Sequence, residues 1–192
     1  MPPRRLNLPD STRAPQPGDD GRLFAPSAAR NAAPILTALH AMIPAHGRAL
    51  EIASGTGEHI VRFGAEFPDM SWQPSDIDAA RLTSIDAWAA DAAQSNIRPA
   101  LRLNATAPGW SVSHNAYDLI IVSNLLHLIS WPETQVLLDE TALALAPGGI
   151  CLIYGPFLRG AKFASDGDAR FHASLIAQDP DIGYKSHQSV QD

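Results

Sequence analysis

Residues 49–59, Ala-Leu-Glu-Ile-Ala-Ser-Gly-Thr-Gly-Glu-His, constrain the fold more than any other stretch of the chain. Leu50 and Ile52 read as the end of a buried strand. The apolar run then breaks into Ser54-Gly55-Thr56-Gly57, and Ile60, Phe63 and Phe67 follow at the spacing of one helix face. Strand, glycine turn and helix make the opening unit of a doubly wound α/β domain. Such a domain takes its ligand where the chain leaves the carboxyl ends of the strands. Glycine suits the turn because a backbone that approaches a ligand closely has no room for a Cβ and can require positive φ.

The flanking residues narrow the ligand. The dinucleotide fingerprint needs Gly or Ala three positions after Gly57, where this chain has Ile60, so a nicotinamide-dependent dehydrogenase is disfavoured. An acid, Glu51, precedes the turn from within the strand. About 20 residues on, a second apolar stretch ends in Pro74-Ser75-Asp76, where an acid is placed to grip ribose hydroxyls. This combination resembles the S-adenosylmethionine site of class I methyltransferases. The resemblance puts Glu51 near the amino-acid end of the cofactor and the backbone of Gly55 and Gly57 near its ribose.

Composition removes several alternatives. A chain of 192 residues with 45% hydrophobic content has material for one sizeable core. The net charge of −6 and the lack of a basic stripe argue against nucleic acid as a partner. The single cysteine, Cys151, lies in an apolar strand pattern and reads as a buried structural thiol. No apolar signal core opens the chain. Its longest apolar stretch, Leu119–Ile129, is too short to span a bilayer, so a cytoplasmic protein with no membrane partner is expected. No His, Cys and carboxylate cluster has zinc spacing, so no metal is expected.

Residues 1–22 form a Pro-rich, mixed-charge leader, expected to be flexible and to order only by lying over the domain of residues 23–192. Asn31 is positioned to cap a helix with Pro34 in its first turn and Ile35, Leu36, Leu39 and Ile43 on its buried face. Arg30 and Asn31 are read either as surface charge and cap, or as a lid touching the cofactor carboxylate or the substrate. Asp78 is expected to cap a helix with Leu82, Ile85 and Trp88 inside. Residues Pro99–Leu103 make a short third strand ending at Asn104, whose side chain offers an acceptor oxygen to an adenine amino group. Trp110 reads as packing.

Tyr117–Ser123 is a continuous apolar run that fits a strand buried on both faces of a parallel sheet. It opens into Asn124-Leu-Leu-His127 on the switch-point edge, which makes His127 a candidate base. Ser130-Trp-Pro-Glu133 is a capping box. Its helix is expected to bury Val136, Leu137, Leu143 and Leu145 and to stop at Pro147-Gly148-Gly149. A fifth strand, Ile150–Tyr154, then carries Tyr154 and Phe157 to the cleft, as substrate wall or as core, with Tyr154 a second catalytic candidate. A looser stretch, 159–168, precedes a last helical pattern through Phe171 and Leu175.

Four pieces together carry a resemblance across most of the chain: Ala29-x-Asn31 with Pro34-Ile35-Leu36, Trp72-Gln-Pro-Ser-Asp76 with Ser84-Ile85, Tyr154-Gly-Pro-Phe157, and the glycine turn with His59. With these the chain resembles the class I methyltransferase-like family typified by methyltransferase-like protein 26. The resemblance implies a Rossmann-like three-layer α/β sandwich and S-adenosylmethionine as cofactor. It also implies a pocket drawn from Glu51, Ala53, Gly55, Gly57, His59, Asp76, Ile77, Asn104, Ala105, Ser123 and Asn124. The implied reaction is methyl transfer to a small-molecule acceptor by in-line displacement. A cofactor-binding or interaction module without catalysis is the alternative. No Asn-Pro-Pro-aromatic tetrapeptide follows strand four, and Cys151 has no neighbouring proline, so the amino-methylating and cytosine-C5 DNA enzymes are set aside. The resemblance implies seven strands where five are legible. A chain truncated at its C-terminus, or a sheet edge covered by another copy in a homo-oligomer, is therefore expected.

Overall fold

A computed structural model describes residues 16–17, 20–160 and 162–192. Most of the Pro-rich leader lies outside the described residues. Five strands form one parallel sheet: β1 (Gly47–Ile52), β2 (Met70–Asp76), β3 (Leu101–Arg102), β4 (Tyr117–Ser123) and β5 (Leu145–Tyr154), in the order β3-β2-β1-β4-β5. The order reverses between β1 and β4, which pair from Ala49 with Leu119 to Ile52 with Val122. In an open α/β sheet that reversal opens the ligand crevice.

Alternation along the central strands divides the core into two layers. Ala49, Leu119 and Ile121 face one side with Ile35, Leu39, Ile60, Phe63, Trp72 and Ile85. Leu50, Ile52, Ile120 and Val122 face the other with Leu103, Trp110, Leu137 and Ala144. A strand buried on both faces must be apolar at every position, which is why β4 reads as an unbroken run. The first layer is supplied by α1 (Pro26–Met42), α2 (Glu58–Glu66) and α3 (Ala79–Ala92). The second layer includes α4 (Trp131–Ala144). The result is the doubly wound three-layer sandwich expected from the sequence.

Local signals set several boundaries. Asp78 caps α3 by accepting from the Arg81 N–H. At α4, Ser130 accepts from the Glu133 N–H while the Glu133 carboxylate accepts from the Ser130 N–H, closing the capping box. Trp110 packs into the core and donates through Nε1 to the Ala105 carbonyl.

Three boundaries differ from the sequence reading. Helix α1 starts at Pro26, with Ala25 as its cap residue, so Asn31 lies in its second turn and Pro34 within the helix. Pro26 supplies a pre-set φ at the first position, and Pro34 sits on the exposed face, where its missing donor is least costly. Helix α4 stops at Ala144, before Pro147-Gly148-Gly149, and Leu143 is 69% exposed where burial was expected. Its inner face is Thr134, Leu137, Glu140, Thr141 and Ala144. Pro147-Gly148-Gly149 is a bulge inside β5: Tyr117 pairs with Leu145, but Leu119 pairs with Ile150. Gly148 has φ +80°, and a Cβ on Gly149 would lie 2.8 Å from the Tyr117 carbonyl, so the bulge needs both glycines.

After β5, Phe157–Leu158 pairs in parallel with Lys185–Ser186. Between them runs α5 (Asp166–Gln178), capped by Ser165. Leu175, Ile182 and Tyr184 form a small third core on this side, joined by Phe163 and Phe171. Among the described residues, no helix is long and apolar enough to cross a membrane.

Candidate functional site

The site assembles at the carboxyl ends of β1, β2 and β4. Ser54 and Ser75 lock the first two together. The Ser54 N–H donates to the Ser75 carbonyl at 2.8 Å, the Ser75 N–H to Ser54 Oγ at 3.1 Å, and Ser75 Oγ to the Glu51 carbonyl at 2.8 Å. Beyond the lock the backbone turns through left-handed conformations at Ala53 (φ 55°), Gly55 (φ 63°) and Gly57 (φ 95°). Asn124, just past β4, is left-handed too, at φ 55°. Two such non-glycine residues, one at each side of the β1/β4 switch point, are strain of the kind that clusters where ligands bind.

The two glycines have different physical reasons. A Cβ on Gly57 would lie 2.8 Å from the Ile85 Cα, so the close approach of α3 requires glycine there. A Cβ on Gly55 would meet nothing nearer than the Ala53 carbonyl at 4.0 Å. That side of Gly55 is an open cradle.

Asp76 reads this turn directly. Its Oδ2 accepts from the Gly55 N–H and its Oδ1 from the Asp78 N–H, both at 3.0 Å, with Arg81 3.7 Å away. The carboxylate is 2% exposed, and each oxygen keeps a lone pair for a further donor. Beside it Ile77 is 42% exposed, an apolar side chain standing out at the strand end. On the next strand end, Asn104 Oδ1 accepts from the Thr106 N–H and hydroxyl, while Ala105 is buried.

Glu51 is the electrostatic centre. It is 1% exposed, and its Oε2 has no hydrogen-bond partner among the described residues. Burial pushes its carboxyl up to about 8, with Ser54 opposing the shift and Asp76 adding to it. A carboxylate in that position either stays protonated or meets a cation. Ser123 Oγ, at the end of β4, is likewise buried with no partner among the described residues. Ser123 is two positions along β4 from Ile121, the register partner of Glu51. Its neighbour Asn124 is held by an N–H bond to the Tyr154 carbonyl at 2.8 Å.

The remaining sequence candidates lie around this centre. His59 is buried in α2, with Nε2 2.9 Å from the Ala28 carbonyl and its ring stacked on Phe63, so it ties α1 to α2. Arg30 and Asn31 lie on α1 one and two residues beyond Ala29, close to that tie. His127 sits in a short 3-10 turn after β4, 5% exposed, with Nδ1 unpartnered among the described residues. Its ring meets the edges of Phe171 and Tyr184 at 5.6 and 6.1 Å. Burial, and then the charge of Lys185, lower its pKa to about 4, so this imidazole is neutral at physiological pH. Tyr154 ends β5, and Phe157 packs against the Leu50–Val122 layer. Cys151 is half-buried, and burial pushes its thiol up to about 11, which keeps it an unreactive thiol. Among the described residues, no group of three His, Cys, Asp or Glu is arranged to hold a metal.

Glu58 and Trp88 shape the site without a local sequence signal, and Ser84 stands out in the sequence only as a motif position. Their contacts reach residues 22–25 and the glycine turn together, and only the tertiary fold brings these near.

The sheet order is that of the Rossmann-like class I methyltransferase fold, and the solved structures that the chain resembles share it. The described chain superimposes on an O-methyltransferase family protein from Burkholderia thailandensis (TM-score 0.68, 14% identity, 85% of this chain and 49% of that one). It also superimposes on the mitomycin 7-O-methyltransferase MmcR (TM-score 0.71, 12% identity, 86% and 46%). A third match is CalO1, a methyltransferase of calicheamicin biosynthesis in its SAH-bound form (TM-score 0.66, 12% identity, 86% and 47%). The chain spans about half the length of these proteins. Residues 22–192 match the family described as protein of unknown function DUF938, and the chain belongs to that family.

Proposed function

We propose that the chain is an S-adenosylmethionine-dependent methyltransferase acting on a small-molecule acceptor, of the methyltransferase-like protein 26 type. The observation that carries this reading is Glu51, a fully buried carboxylate with an orphaned oxygen at the switch point. Its chemistry fits the ammonium of the cofactor's amino-acid end, whose charge would ionise it. The spare lone pairs of Asp76 fit ribose hydroxyls, and the open side of Gly55 leaves room for the sugar. Ile77 offers an apolar flank to the adenine, and Asn104 with Ala105 lies at its amino end. Ala53, Gly57, Ser123 and Asn124 complete the wall, and His59 holds it from behind.

The cofactor, when bound, supplies a methyl on a positively charged sulfur, open to in-line attack by a nucleophilic acceptor. The protein's part is alignment and exclusion of water. Tyr154 and Phe157 are the acceptor-side wall, and Arg30 and Asn31 line the α1 approach. The neutral His127 would accept a hydrogen bond from an acceptor O–H or N–H through Nδ1 once the covering rings of Phe171 and Tyr184 move aside. Because its pKa lies near 4, the rate should show no inflection from His127 between about pH 5 and 8; a pH–rate profile checks this. The net charge of −6 supports a small acceptor over nucleic acid.

The test is turnover. The full chain is incubated with methyl-labelled S-adenosylmethionine and a panel of small hydroxyl, thiol, amine and carboxylate acceptors, and S-adenosylhomocysteine release is followed. Turnover on one acceptor class, reduced about a hundredfold or more in a folded Asp76→Ala, is expected. Saturable cofactor binding with no turnover on any class would overturn the catalytic part of this reading.

A further inference from the structure

We propose that Ser84 and Glu58 are positioning residues that tie residues 22–25 to the glycine turn, so that docking of this strap sets the turn for the cofactor. The proposal rests on the cofactor reading above and adds a residue set that the reading does not use.

Each of the two side chains is buried and bridges the same two segments. Ser84 is 0% exposed in α3; its Oγ donates to the Thr56 carbonyl at 2.6 Å and accepts from the Leu23 N–H at 2.8 Å. Glu58 opens α2; its Oε2 accepts from Thr56 Oγ1 at 2.9 Å and from the Ala25 N–H at 2.7 Å. Thr56, the residue between the two glycines, is thus held at its carbonyl by one side chain and at its hydroxyl by the other. Both of those side chains find their second partner on the strap. If the strap lifts, Ser84 and Glu58 each lose a partner while still buried, and the turn loses its fixed supports.

Trp88 is the surface on which the strap docks. Its Nε1 donates to the Leu23 carbonyl at 3.0 Å, and Phe24 meets its ring edge-on at 5.2 Å. The Arg22 guanidinium lies 4.7 Å above the ring and pairs with Asp20 and Asp91. The same indole backs Gly57: a Cβ there would come within 3.3 Å of Trp88 Cδ1. Strap, indole and turn therefore form one packed unit, and no atom of it needs to touch the acceptor. Such a unit predicts an effect on cofactor affinity and none on acceptor choice.

The experiment compares the full chain with Arg22→Ala/Phe24→Ala, with Ser84→Ala and with the triple variant. Amide hydrogen exchange is read at residues 22–25 and at Gly55, Thr56 and Gly57, and S-adenosylhomocysteine affinity is read by titration. Loosening of the strap in Arg22→Ala/Phe24→Ala should speed exchange at the turn by about tenfold and weaken binding about fivefold. The triple variant should loosen the turn more than Ser84→Ala, because Glu58 still links the strap to Thr56, but by less than the sum of the two separate effects, because part of the strap's action passes through Ser84. Faster exchange at 22–25 with unchanged exchange at Gly55–Gly57 would overturn the proposal. Should Ser84→Ala fail to fold, the Arg22→Ala/Phe24→Ala pair decides alone, since both side chains are anchored on Trp88 and Asp91. A wild-type chain that binds no S-adenosylhomocysteine defeats the cofactor reading, while the exchange data still decide the coupling.

Discussion

Glu51→Gln is expected to abolish S-adenosylmethionine binding while making the ligand-free protein more stable above neutral pH. Both effects have one cause. Burial raises the Glu51 carboxyl from 4.5 to about 8, so the folded protein holds a proton there that the unfolded chain releases much earlier. A raised folded pKa contributes stability that is complete below about 4.5 and is lost as pH rises through about 8. Glutamine keeps the shape and cannot ionise. Its melting temperature should match the wild type near pH 4–5 and exceed it by several degrees at pH 9. That corresponds to roughly 2–3 kcal/mol after allowance for relaxation around the charge. The same substitution removes the counter-charge for a buried ammonium, which should weaken binding at least ~100-fold. Thermal melts across pH 4–9 with a cofactor titration at pH 7.5 check both halves.

Gly57→Ala should unfold or nearly unfold the protein, whereas Gly55→Ala should fold and lose affinity. At Gly57 the new methyl meets the backbone of Ile85 at 2.8 Å, and φ is +95°. Backbone cannot swing aside as a side chain can, so α3 would have to move away from the turn. Steric strain and lost packing together should cost about 3–5 kcal/mol. At Gly55 the methyl points into open space, and only the left-handed backbone is strained, by about 1 kcal/mol. The methyl would nonetheless occupy the cradle proposed for the ribose. Chemical denaturation and titration of the two variants should therefore rank them oppositely: stability decides for Gly57 and affinity for Gly55.

This contrast also shows what could be read from the chain and what could not. Strand–turn–helix periodicity marked β1 and its turn, because alternation and glycine spacing are local. The unbroken run Tyr117–Ser123 marked β4, and Ser130 with Glu133 marked α4, through interactions that span three residues. The start of α1 is not legible locally, because Asn31 and Pro34 form a plausible cap and first turn by themselves. The true start at Pro26 is stabilised from α2, by Glu58 on the Ala25 N–H. The end of α4 is not legible locally either, because Pro-Gly-Gly reads as a helix stop, although these residues bulge within a strand held by β4. At the site, the strand-end acids were legible from position alone. The partner of Ser84, the burial of His127 against Phe171 and Tyr184, and the orphaned oxygen of Glu51 depend on distant segments. No local pattern encodes them.

The most direct measurement is calorimetric titration of the full chain with S-adenosylhomocysteine and S-adenosylmethionine at pH 7, repeated in buffers of different ionisation enthalpy. Saturable binding is predicted, with a heat that varies between buffers because Glu51 surrenders its proton to the solvent as it meets the ammonium. Glu51→Gln should show neither the binding nor the buffer dependence. A folded wild-type chain that gives no saturable heat, and no shift in melting temperature with either compound, would contradict the assignment of this cleft to an S-adenosyl cofactor.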